Sequence, residues 1–115
     1  MARKTALEMD FSDIYTALVN KALRKNRTRE EVDILTSWLT GYTKEEIENA
    51  FRSSISYGRF LKEAPSYNER SERIKGKICG IDIGSIEDPL TKRMRQLDKL
   101  IDELAKGKAL EKILR

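Results

Sequence analysis

The 115-residue sequence contains no histidine and one cysteine. A disulfide within the chain is therefore impossible, and a zinc site built from several thiolates is excluded. The lack of histidine also excludes catalysis by a histidine base, including a Ser-His-Asp triad. Cys79 lies between Ile78 and Gly80, apolar company that favours a buried small hydrophobe, and the nearby Lys75 and Lys77 leave a reactive thiolate as the alternative. We expect a binding protein rather than an enzyme, with no cofactor and no metal.

Long apolar runs are also missing. No stretch approaches the roughly 20 residues of a membrane-spanning helix, and the N-terminal MARKTALEMD lacks the apolar segment of a secretory signal. We therefore expect a cytoplasmic protein that has no membrane partner. Lys and Arg number 23 against 19 Asp and Glu, so the formal net charge is +4. That mild excess is compatible with nucleic-acid contact but does not indicate it.

The apolar pattern is helical. Phe11, Ile14, Tyr15 and Leu18 recur at steps of three and four within residues 11–25. Capping-box patterns then begin two more helices, with Thr28 followed by Glu31 and Thr43 followed by Glu46, and Gly41 separates them. The apolar face expected on the first of these two helices comprises Ile34, Leu35, Trp38 and Leu39.

The rest of the chain predicts shorter helices. One ends at Pro65, and another begins after Asn68 and carries Ile74 and Ile78. A length of 115 residues fits one domain with one modest core. The sequence therefore predicts an all-α fold, a compact single-domain bundle of five to seven short helices over residues 1–115. Residues 1–9 are expected to form a flexible N-terminal arm.

The last long helix has the clearest pattern. Asp88 is the expected N-cap and Pro89 the first helical residue. Its apolar seam of about two heptads is a candidate interface: Leu90, Met94, Leu97, Ile101 and Leu104. Two repeats are too few for an independent coiled coil, so the seam either packs inside the domain or pairs two copies. The terminal KALEKILR is a second candidate for association.

The segment GIDIGS, residues 80–85, is similar to a phosphate-binding loop of the actin and Hsp70 ATPases. Such a loop needs a strand on both sides of its turn, whereas a proline-led helix follows here. The simpler interpretation is a connection in which Gly80 ends one helix and Asp88 begins the next. Three isoleucines of this connection are expected to be buried in the core: Ile81, Ile83 and Ile86. No nucleotide is expected.

Residues 28–53 have the outline of a helix-turn-helix, so nucleic-acid binding is the alternative function. The helix in the recognition position, residues 44–53, carries Glu45, Glu46 and Glu48, which would repel phosphate. A packing hairpin is therefore favoured. The candidate basic patch flanks the preceding turn: Lys21, Arg24, Lys25, Arg27 and Arg29.

Three segments carry a family resemblance: EVDILTSWLTGYTKEEIE, KICGIDIGSIEDPL and LDKLIDELAKGKALEKILR. They resemble the bacterial family catalogued as domain of unknown function 2200, over nearly the whole chain from Met9 to Arg115. The resemblance implies a small cytoplasmic bacterial protein and supplies no activity, ligand or catalytic residue. We therefore expect a protein-interaction module, and self-association through the seam of the last long helix is one form of that interaction.

Overall fold

Six α-helices form most of residues 5–115, the part of the chain that this computed structural model describes. The all-α prediction of five to seven short helices is confirmed. The helices are α1 Phe11–Leu23, α2 Arg29–Thr40, α3 Lys44–Arg52, α4 Tyr57–Lys62, α5 Pro89–Ala105 and α6 Leu110–Ile113. Between α4 and α5 lie a 3-10 turn, Glu69–Arg73, and two short strands, β1 Lys77–Ile78 and β2 Ile81–Asp82.

Part of the predicted N-terminal arm, residues 1–4, lies outside the described residues. The remainder contains a 3-10 turn, Ala6–Glu8, whose Leu7 packs against the core. The chain beyond it is attached to the segment before α4, because Tyr57 N donates to Met9 O at 2.8 Å and Phe11 N donates to Ile55 O at 2.8 Å.

Both predicted capping boxes are present. The Thr28 hydroxyl accepts from the Glu31 backbone N, and the Glu31 carboxylate accepts from the Thr28 backbone N at 3.0 Å. Thr43 and Glu46 repeat this arrangement at the start of α3. Each box satisfies two backbone donors that a helix start would otherwise leave unpaired. The hairpin of α2 and α3 therefore begins and turns where the sequence indicates.

The core is built around α5, which packs against α1, α2 and α4. Aromatic side chains fill the space between α1 and α4: the Phe11 ring stacks on Phe60 with centroids 3.9 Å apart, and Tyr15 lies 4.9 Å from Phe11. These rings are fully buried. Burial of such large side chains from several helices makes one continuous core.

The predicted helix after Asn68 is wrong beyond its first turn. Asn68 does cap the 3-10 turn by accepting from Arg70 N at 2.8 Å. Gly76 then has a φ of +98°, which is incompatible with a helix interior, and the chain continues as an antiparallel hairpin of β1 and β2. Ile78 therefore lies in a strand and not on a helical face.

The turn of this hairpin shows that the predictions for Gly80 and for Cys79 are wrong. Cys79 and Gly80 have φ values of +53° and +77°, as the two central residues of a type I′ turn do. Gly80 therefore joins two strands and does not end a helix, and Cys79 is exposed rather than buried. Of the three isoleucines expected to be buried in the core, Ile83 is buried and Ile86 is half-buried, but Ile81 is 38% exposed.

Candidate interaction surface

The heptad seam of α5 lies largely inside the chain's own core. Leu97, Ile101 and Leu104 are fully buried, and Leu90 and Met94 are half-buried against the same core. The neighbouring helices α1, α2 and α4 cover this face. Three of the five seam side chains are therefore not available to a second copy in this fold.

The terminal KALEKILR is fixed against α5. Ile113 is fully buried, and the Arg115 guanidinium lies 2.6 Å from the Glu103 carboxylate while also donating to Ile113 O at 2.7 Å. Both partners of this ion pair are mostly covered, which holds the C-terminal residues in one place. Leu114, in contrast, stays half-exposed and faces α2.

Much of the candidate basic patch is neutralised within the chain. Lys21 lies 3.2 Å from Asp102, Arg27 2.6 Å from Glu31, and Arg29 2.7 Å from Glu48. Among residues 5–115, the patch's other two members, Arg24 and Lys25, are exposed and form no ion pair. This arrangement leaves little concentrated positive charge for phosphate groups.

The helix-turn-helix formed by α2 and α3 also lacks a concentration of unpaired positive charge. Glu48 of α3 accepts from both Arg29 and Arg52, so these two cations beside the recognition position are already paired and Lys44 is left as an exposed cation of that helix. Glu45 and Glu46 remain exposed in the first turn of α3. The charge around this hairpin therefore does not favour contact with a nucleic-acid backbone.

The carboxylates of α5 are engaged in structural contacts. Burial alone would raise the pKa of Asp102, but hydrogen bonds from Lys106 and Lys21 outweigh it and lower that pKa. Burial raises the pKa of Asp98, and Arg95 opposes the shift from 3.4 Å. No group of three or more potential ligands that could hold a metal ion occurs within residues 5–115.

A groove with exposed apolar surface lies on the outer side of α2. Its cavity volume is about 350 Å³, and the apolar part of its lining comes from Ile34 and Trp38 of α2 together with Leu114. Ile34 is 40% exposed, and Trp38 is half-buried. The residues that line the groove are Glu30, Asp33, Ile34, Ser37, Trp38, Lys44 and Leu114.

The sequence pattern indicated these residues but not their role. Ile34 and Trp38 were expected on the buried face of α2, whereas the buried stripe comprises Val32, Leu35 and Leu39. The expectation is therefore wrong for Ile34, which lies next to the buried stripe in sequence but points to solvent. The spacing of four between Ile34 and Trp38 could have revealed a second, outward apolar stripe.

A buried polar pair lies beneath the groove. Asp33 is 7% exposed, and its carboxylate accepts a hydrogen bond from the buried Tyr15 hydroxyl. Burial, followed by this contact with Asp33, raises the pKa of Tyr15 well above its usual range. The Arg29 guanidinium is 4.0 Å from Asp33 and compensates its charge. The pair therefore anchors the groove side of α2 to α1.

We expect phenylalanine substitutions at two buried tyrosines to change stability in opposite directions. Tyr15→Phe should lower the free energy of unfolding by about 1.5–3 kcal/mol, because it leaves buried Asp33 without its donor.

The buried Tyr57 hydroxyl has no hydrogen-bond partner among residues 5–115. Tyr57→Phe removes an unsatisfied polar group and should raise that free energy by about 1 kcal/mol. Urea denaturation measures both changes, and a destabilised Tyr57→Phe variant would contradict the second expectation.

No helix within residues 5–115 combines the length and the apolar character needed to cross a membrane. The profile of a family described as "Uncharacterized protein conserved in bacteria (DUF2200)" matches residues 5–115. The chain is also similar to the crystal structure of an uncharacterized protein, SP1917. The two are 42% identical with a TM-score of 0.93, over 99% of this chain and 93% of that chain. No curated protein matches the chain.

Proposed function

The chain belongs to this family of uncharacterised bacterial proteins, and we propose that it is a cytoplasmic, non-enzymatic module for protein interaction. The contact surface in this proposal is the groove of α2, which we call the α2 groove: Glu30, Asp33, Ile34, Ser37, Trp38, Lys44 and Leu114. This surface replaces the α5 seam as the candidate interface, because the seam is covered by the chain's own helices.

The apolar lining of the α2 groove is the observation that carries the proposal. Ile34 and Leu114 leave apolar surface in contact with water next to Trp38, the only tryptophan of the chain. Exposed apolar surface with a polar rim is typical of sites that a partner covers, and tryptophan is enriched among residues that dominate binding energy. A partner that presents an apolar helical face would fit this groove.

Trp38 also provides a direct measurement of occupancy. A partner identified by pull-down and mass spectrometry would be purified and titrated into the protein while Trp38 fluorescence is recorded. We expect a shift of the emission to shorter wavelength, because the partner removes the half-buried indole from water. A saturable shift would give the affinity of the complex.

Two matched substitutions decide whether the groove is responsible. Ile34→Asp introduces a charge into the α2 groove and should weaken binding by about ten-fold or more, since a desolvated carboxylate is costly. Leu23→Asp makes a similar change at a 51% exposed residue of α1 that does not line the groove, and should leave binding unchanged. Equal affinities for the two variants would exclude the α2 groove as the contact surface.

A further inference from the structure

We propose that the partner seated in the α2 groove is a second copy of this chain, paired through α2 about a two-fold axis. This inference rests on the proposed function, because it takes the α2 groove as the contact surface and names its occupant. The supporting observation is the placement of opposite charges at the two ends of one apolar stripe.

The stripe runs along α2. Glu30, Ile34 and Trp38 are separated by four residues each, so they lie on one face of the helix and extend over about 12 Å. Glu30 lies at the start of α2, and Lys44 lies beyond its end, at the first residue of α3. Both charged residues line the groove with the apolar side chains between them.

Neither charge is paired by another residue of the described range 5–115. Glu30 and Lys44 are exposed and take part in no ion pair within residues 5–115. Three charged residues nearby, Arg29, Glu31 and Glu48, are already paired within the chain, whereas Glu45, beside Lys44, is exposed and has no ion pair within residues 5–115. The α2 groove therefore presents one unpaired carboxylate and one unpaired ammonium group at opposite ends of an apolar surface.

Two-fold symmetry turns this arrangement into self-complementarity. When two α2 helices cross antiparallel about a two-fold axis, the start of one helix lies beside the end of the other. Glu30 then faces Lys44 of the partner subunit, and the symmetry repeats the ion pair at the other end. Ile34 and Trp38 of the two copies meet in the middle. A parallel arrangement would instead place like charges together, at a cost in free energy.

The exposed apolar surface is modest, which sets the expected strength of the dimer. Stable protein complexes bury about 800 Å² on each partner, and the α2 groove is a short stripe centred on two α2 side chains and Leu114. We therefore expect a weak dimer with a Kd that is roughly micromolar. Sedimentation equilibrium over a wide concentration range can measure such an association, and Trp38 emission can follow it in parallel.

Charge reversal provides the decisive experiment. Glu30→Lys places two ammonium groups together at each end of the dimer, and Lys44→Glu places two carboxylates together. Each variant alone should dimerise about ten-fold or more weakly than the unmodified chain. Mixed in equal amounts, the two variants should form a heterodimer of nearly the original affinity, because each end again pairs opposite charges. A folding defect cannot explain weakening that the mixture reverses.

The outcomes separate this inference from the proposed function. Recovery of association in the mixture, with Leu23→Asp unchanged and Ile34→Asp monomeric, supports the two-fold dimer. A chain that stays monomeric up to millimolar concentration overturns it, as does weakening that the mixture does not reverse. In those cases a different purified protein that shifts Trp38 emission, and loses affinity with Ile34→Asp, would leave the proposed function intact. Absence of both associations would end both proposals.

Discussion

Leu97→Ala is expected to lower the free energy of unfolding by about 2–5 kcal/mol. Leu97 is fully buried near the middle of α5, the helix against which α1, α2 and α4 pack. Alanine removes apolar atoms from this contact and leaves a cavity that surrounding helices cannot fill completely. A loss of that size is a large share of the roughly 5–15 kcal/mol that stabilises a small domain.

A less buried leucine of the same seam provides the control for Leu97→Ala. Leu90 belongs to the same apolar seam but is only half-buried in the first turn of α5, so Leu90→Ala should cost clearly less. Leu97→Asp should prevent folding, because a carboxylate would be buried without a partner. Urea denaturation measures the alanine variants, and circular dichroism measures the folding of the aspartate variant. A folded monomeric Leu97→Asp protein would show that the seam is an intermolecular contact.

Much of the helical framework was predictable because local signals and packing agree. Thr28 and Thr43 each stand three residues before a glutamate, and both capping boxes form. Asp88 accepts from Thr91 N at 2.9 Å, and Pro89 follows it as the first residue of α5, as predicted. These signals depend on residues within one helical turn, so the sequence contains them in full.

The segment between α4 and α5 was not predictable in the same way. Ile74 and Ile78 have helical spacing, yet they lie on either side of Gly76, whose positive φ directs the chain into the hairpin. Two-residue strands have too little pattern to be recognised. Their position depends on distant contacts, such as Lys99 Nζ donating to Lys77 O at 3.1 Å. Tertiary contacts, and not local sequence signals, therefore determine the conformation of this segment.

The α2 groove was hidden for a related reason. Apolar side chains occur on two adjacent faces of α2, and sequence alone does not show which face other helices cover. Leu35 and Leu39 meet α5 and its neighbours, whereas Ile34 remains 40% exposed. The C-terminal residues also contribute, because the ion pair of Arg115 with Glu103 fixes the chain beside Leu114. That pairing joins residues twelve positions apart and could not be read from helical periodicity.

Gly41→Ala is expected to cost about 2–5 kcal/mol, the second large effect. Gly41 ends α2 with a φ of +83°, and for alanine this left-handed conformation costs about 1–2 kcal/mol. A Cβ at this position would also lie 2.7 Å from Cβ and O of Ser66, closer than atoms can approach. Relieving that overlap requires backbone movement, which typically costs about 1–3 kcal/mol more.

The overlap matters because the loop beside Gly41 caps α2. Ser66 N donates to Thr40 O at 3.1 Å, Asn68 N donates to Leu39 O at 2.8 Å, and the Asn68 amide donates to Trp38 O at 3.0 Å. These bonds satisfy carbonyls that a helix end otherwise leaves unpaired. A side chain on Gly41 would push this loop away, so we expect the substitution to disturb the end of α2 that carries Trp38.

Gly107 is the matched control for this prediction. Its φ of +92° is similar, but a Cβ there would have no atom within 4 Å. Gly107→Ala should therefore show only the conformational cost of about 1–2 kcal/mol, and the difference between the two variants isolates the steric contribution. Urea denaturation gives both free energies, and Trp38 emission reports whether the end of α2 has moved. Equal destabilisation with unchanged emission would mean that the 66–68 loop tolerates a side chain at Gly41, and the close packing would then not contribute to stability.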